Sequence, residues 1–181
     1  MNARIWKLVA VAACAAGLVV AAGSMQSAFS EGGGAYVSKE KKFSITFPND
    51  WEIKENFMGT TVLALRPAAA NDVFRENINV VVEDVPKTMT VDQYFDASLA
   101  SLKKLLTDFA EIAKGDSTIN GQKLKWLTYR HRMGQLKPEV LVYCAVKDGR
   151  GYAVTCSTVE GGLDKWRKRF EEIVGTFKLE R

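Results

Sequence analysis

From residue 43 the side chains alternate, with Phe43, Ile45 and Phe47 apolar against polar Ser44 and Thr46. A period of two predicts a strand with one face buried. Pro48-Asn49-Asp50 closes it in a turn. Residues 51–54, 61–65 and 78–85 follow as strands, with Asn71-Asp72 in a loop between the last two. The period then changes. Thr90 and Gln93 stand at capping-box spacing, and behind them Val91, Tyr94, Phe95, Leu99, Leu102, Leu105, Leu106, Phe109 and Ile112 recur at helical intervals. This predicts a long helix reaching Ile112, its leucine-rich face serving as core.

Beyond Gly115, Asn120-Gly121 is a hairpin turn signal. Residues 122–132 carry apolar side chains at both parities, Leu124 and Trp126 against Leu127 and Tyr129, as expected of a strand covered on both faces. Residues 139–147 and 152–159 flank Asp148-Gly149-Arg150-Gly151 and predict a second hairpin. Leu163, Trp166, Phe170, Ile173, Val174 and Phe177 then trace an amphipathic helix capped near Gly175. The order is strands, helix, strands, helix, a mixed α and β domain.

The chain begins differently. Arg4 and Lys7 precede an apolar run over residues 8–23, the layout of a secretory signal peptide over 1–23. Small residues place its cleavage near Gly23 or Ser24. Val11-Ala12-Ala13-Cys14 has the outline of a lipobox, but nine more apolar residues after Cys14 argue against anchoring there. Residues 24–35, with three consecutive glycines, read as a flexible tether, and residues 36–181 as a single domain. The expected location is therefore outside the cytoplasm, periplasmic or secreted. Without Arg4 and Lys7, the 25 basic residues become 23 against 21 acidic ones, a net charge of +2, which is no nucleic-acid footprint.

An exported domain has access to disulfide chemistry, and Cys144 and Cys156 lie one on each arm of the second hairpin. If residues 149–151 form a three-residue loop, Cys144 faces Cys156. Directly opposed Cβ atoms lie about 4.5–5.5 Å apart, whereas a disulfide wants about 3.5–4.5 Å. A strained bond and a pair of buried thiols both remain open.

Little else carries chemistry. His131 is the one histidine, and no Gly-x-Ser-x-Gly elbow accompanies it. One histidine and two hairpin cysteines do not make a usual zinc set, and the glycines lack the Lys-Ser/Thr of a phosphate loop. No catalytic residue, metal or cofactor is expected. Lys123, Lys125, Arg130, His131 and Arg132 form a locally basic stretch interleaved with Trp126 and Tyr129, a candidate contact patch for an acidic protein or an anionic headgroup.

Three passages together resemble the PsbP-like family: FSITFPNDWEI from Phe43, NINVVVEDVP with MTVDQYFDASLASLKK from Asn77, and GYAVTCSTVEGGLDKWRKRFEEIVGTFKL from Gly151. The resemblance spans nearly the whole predicted domain. It implies an α+β fold, an α/β/α sandwich with a central mainly antiparallel sheet, one long helix after the first strands and a C-terminal helix, and a non-enzymatic binding or assembly role. The expected partner is an envelope or secreted protein. The alternative is a periplasmic carrier of a lipid or small apolar ligand, held between the sheet and the long helix.

Overall fold

The computed structural model describes residues 34–180, so the expected signal peptide and all but the last two residues of the tether lie outside the described residues. Those last two, Gly34 and Ala35, already belong to strand β1, Gly34–Ser38. With β2, Phe43–Phe47, and the short β10, Lys178–Leu179, it forms a three-stranded antiparallel sheet in the order β1-β2-β10. The remaining strands are β3 (Glu52–Glu55), β4 (Val62–Leu65), β5 (Asn77–Asp84), β6 (Thr107–Ile119), β7 (Gln122–Arg132), β8 (Glu139–Lys147) and β9 (Arg150–Thr158). They build a seven-stranded antiparallel sheet in the order β3-β4-β5-β9-β8-β7-β6.

Helix α1, Val91–Leu105, covers one face of this sheet with Tyr94, Phe95, Leu99 and Leu102 against Leu127, Tyr129, Val140 and Val142. Helix α2, Leu163–Val174, and the apolar side of β2 cover the other face. There Phe43, Ile45, Phe47, Phe170, Ile173 and Val174 pack on Ile78, Val80, Val154 and Leu141. The architecture is the expected α+β sandwich, with the small sheet sharing one outer layer with α2.

The capping box forms as read: Gln93 N–H donates to Thr90 Oγ1 at 3.2 Å, and Thr90 N–H donates to Gln93 Oε1 at 3.0 Å. The far end of α1 needs correction. The helix stops at Leu105, and residues 107–119 run as the 13-residue strand β6. The register against β7 slips between Thr107 and Ala110 and again between Glu111 and Ala113. Each bulge puts one extra residue into β6. The period of two is thus stretched locally toward three, and Phe109 and Ile112 imitate helical neighbours.

The second hairpin also differs from the sequence reading. Lys147 pairs with Arg150, leaving a two-residue turn at Asp148-Gly149, both with positive φ (51° and 76°). That is the twist a tight antiparallel hairpin requires. The partner of residue 144 thus moves by three positions, from 156 to 153, and an odd shift reverses which side chains share a face. Cys144 therefore pairs with Ala153 and packs under α1, whereas Cys156 pairs with Leu141 and packs on the α2 side. The expected Cys144–Cys156 opposition does not occur, and both are free, buried thiols. Burial pushes the Cys144 thiol up to about 12, and Cys156 likewise upward.

Gly151 is fixed by a close approach. A Cβ there would stand 2.5 Å from the Tyr94 ring, whose hydroxyl donates to Glu83 Oε1 at 2.7 Å on the neighbouring strand. Burial raises the Glu83 carboxyl above its ordinary range.

Two outcomes are expected. Iodoacetamide will modify Cys144 and Cys156 only after denaturation, and non-reducing peptide mapping will find no link between them; a linked peptide would contradict the register. Gly151→Ala will destabilise the domain by about 1–3 kcal/mol, as for other overpacked sites. The readout is the urea midpoint, and Tyr94→Leu in the same chain should recover part of the loss.

Candidate functional site

Strand β7 divides the basic stretch between two faces. Lys123, Lys125 and His131 share the parity of Leu127 and Tyr129 and point to the α1 side, whereas Arg130 and Arg132 share that of Leu124 and Trp126. Lys125 Nζ lies 2.7 Å from Asp92 and 3.0 Å from Asp116, and those carboxylates hold its ammonium up at about 12. It also stands over the Phe95 ring at 5.6 Å. Arg130 lies 3.9 Å from Glu160, and Arg132 pairs with Asp108. The five residues do not come together as one cationic surface. Exposed pairs of this kind add little stability, yet they cancel the field that would draw in an anion.

His131 is 4% exposed, with its ring tilted against Tyr129 and its Nδ1 3.2 Å from the Arg132 carbonyl oxygen. An Nδ1–H tautomer donates there. Nearby, on the same side of the sheet, Asn79 pairs across the strands with Thr155, and Ser157 is the next residue of β9 on that face. The side-chain oxygens of all three are buried without a hydrogen-bond partner among the described residues. The space between α1 and the sheet, the place an apolar ligand takes in the alternative carrier reading, is filled at β7 and β8 by the core side chains of the helix itself.

A different concavity opens on the α2 side, where the β6–β7 ribbon extends past the helix. This cleft of about 340 Å³ has Trp126 and Tyr143 among its lining, with Ile119 and Ser117 from β6 and Arg167 and Glu171 from α2. Trp126 is the cross-strand neighbour of both Gly115 and Tyr143. A Cβ on Gly115 would stand 2.9 Å from the indole, so only glycine lets the ring lie across β6. Tyr143 is 7% exposed, and burial pushes its phenol up to about 12. The Arg167 guanidinium lies 3.4 Å from Glu171 and reaches Thr128 Oγ1 at 3.5 Å.

Two further clefts are lined mainly by charged and turn residues. One, of about 380 Å³ beside the Asp148-Gly149 turn, sets Lys42, Lys87 and Arg150 against Asp84 and Asp148. The other, of about 680 Å³, lies between the Asn120-Gly121 turn and β10, with Lys147, Lys178 and Glu180 in its wall. The aromatic cleft escaped the sequence reading because its residues come from β6, β7, β8 and α2. Gly115, just past the expected long helix, was the missed signal: a glycine opposite a tryptophan in a hairpin marks a ring lying on backbone.

Comparison with curated proteins found no match. Among solved structures, the cyanobacterial PsbP (CyanoP) of Synechocystis superposes with a TM-score of 0.61 at 18% identity, covering 87% of this chain and 98% of that one. LpqN of Mycobacterium tuberculosis, described as involved in cell envelope biogenesis, gives 0.63 at 13% identity over 77% of this chain and 83% of its own. The Saccharomyces cerevisiae Ran-binding protein Mog1p gives 0.55 at 9% identity, covering 83% and 96%. Identities this low show a shared fold. The family model described as PsbP matches residues 31–179, and with it the chain belongs to the PsbP family.

Proposed function

We propose that the chain is an exported, non-enzymatic binding module of the cell envelope that contacts another protein along the outer edge of β6. The observation that carries this reading is the edge itself. β6 pairs only with β7 in the seven-stranded sheet, so along its 13 residues one side of the backbone ladder is available to an incoming strand. Such an edge binds an extended segment by main-chain hydrogen bonds. Two bulges break up the first half of β6, whereas residues 113–119 pair with β7 without a slip and offer a regular ladder. Lys114 and Asp116 lie exposed there and guard against indiscriminate pairing.

Relatives lend this reading support of a general kind: one similar structure is described as a Ran-binding protein and another as involved in cell envelope biogenesis. The leader-like residues 1–23 supply the argument for export. Storage of a lipid between α1 and the sheet is the less favoured reading, because Tyr94, Phe95, Leu99 and Leu102 occupy that interface at β7 and β8.

The test is site-specific photocrosslinking in the native envelope from Lys114, with exposed Met58, in the loop between β3 and β4, as the control position. A reproducible adduct is expected from Lys114 and not from Met58. Amides within residues 113–119 should gain protection from hydrogen exchange when the recovered partner is added. Equal labelling from both positions, no adduct from Lys114, or unchanged exchange along β6 would sink the edge-docking model.

A further inference from the structure

We propose that the cleft between α2 and the β6–β7 ribbon binds a neutral saccharide unit. The inference goes beyond protein docking at the outer edge of β6 and does not depend on it. Four features of the cleft point the same way.

The first is its aromatic lining, made by the cross-strand neighbours Trp126 and Tyr143. An aromatic surface of this kind takes the C–H face of a sugar ring. The second is that the polar tips of these side chains are uncommitted. Neither the Trp126 indole N–H nor the Tyr143 hydroxyl hydrogen-bonds to another group among the described residues, and neither atom is closed off within the core, so both stay open to a ligand in the cleft.

The third feature is the wall. Arg167 supplies donors and Glu171 an acceptor, 3.4 Å apart, with the Ser117 hydroxyl also at the cleft. Adjacent ring hydroxyls each donate and accept, and a guanidinium beside a carboxylate answers both needs. The fourth is charge. Arg167 and Glu171 sum to zero, so an anionic ligand would meet the Glu171 carboxylate and a cationic one the Arg167 guanidinium. A neutral polar ring meets neither obstacle. The volume of about 340 Å³ lies at the small end of ligand sites and suits one or two sugar units.

The cleft is built from β6, β7, β8 and one side of α2, all of which are held by the core on that face of the sheet. Gly115 is integral to it, because the tryptophan would be displaced by a side chain at that position.

The experiment follows the Trp126 indole N–H by ¹H–¹⁵N NMR in the protein isolated from its own envelope. Neutral probes are glucose, galactose, N-acetylglucosamine and maltose; glucuronate and benzoate serve as anionic controls. The expected result is a saturable shift of the Trp126 signal with at least one neutral sugar, and none at matching concentrations of the anions. Tyr143→Phe removes one hydroxyl and keeps the ring, and Glu171→Gln keeps the shape of the acceptor. Tyr143→Phe should weaken binding about two- to tenfold, the worth of one neutral hydrogen bond, and Glu171→Gln about tenfold or more, the worth of one charge-assisted bond, each with an unchanged melting temperature. No saturable shift with any neutral sugar overturns the proposal. So does tighter binding of either anion, or undiminished affinity in both variants.

Discussion

The two-residue turn at Asp148-Gly149 governs more of this molecule than any other local feature. It pairs Lys147 with Arg150, and from there the register of β8 on β9 runs through nine consecutive pairs. Because β9 also pairs with β5 and β8 with β7, that register decides which side chains of four central strands face α1 and which face α2. A shift of one residue would turn one of the two strands over against the other. Either Tyr152 and Val154 would come beneath the long helix, or Val142 and Cys144 would turn toward the other layer.

With the register set, each face acquires its own lock. On the α1 side, Tyr94 lies over Gly151 and donates to Glu83, which fixes where the helix sits along the sheet. On the other side, rings from distant segments meet: Phe43 contacts Tyr152 and Phe177, and Trp51 contacts Trp166. These contacts tie the small sheet, the start of the large sheet and the C-terminal helix into one core. The β6–β7 ribbon projects beyond that core, and the projection leaves β6 an open edge and makes a cleft beside α2. A fold of the PsbP family thus presents two candidate contact surfaces at its β6 margin, one of backbone and one of aromatic side chains.

Charge contributes by cancellation. Lys125 sits between Asp92 and Asp116, Arg132 meets Asp108, and Arg167 meets Glu171. A run that reads as basic along the chain becomes a mixed surface in space, since alternate residues of β7 leave on opposite sides and acids from β6, α1 and the turn after β9 come to meet them. The contacts proposed at this margin therefore draw on shape, hydrogen bonding and strand pairing rather than on an attractive field.

Much of the fold was legible in the residues alone. The period of two in β2, the capping box of α1, the Asn120-Gly121 turn and the apolar stripe of α2 are local signals, and each is produced by forces acting within a few residues. The end of α1 was not legible, because Phe109 and Ile112 satisfy a helical spacing and a twice-bulged strand alike. Only pairing with β7 favours the strand. The fate of Cys144 and Cys156 was likewise hidden in a loop length of two or three. The aromatic cleft was the least accessible of all: Trp126, Tyr143, Arg167 and Glu171 are ordinary residues in their own segments. Sequence determined which pieces form, since propensity and periodicity act locally. Tertiary structure decided which faces meet, because register and packing depend on partners far away along the chain.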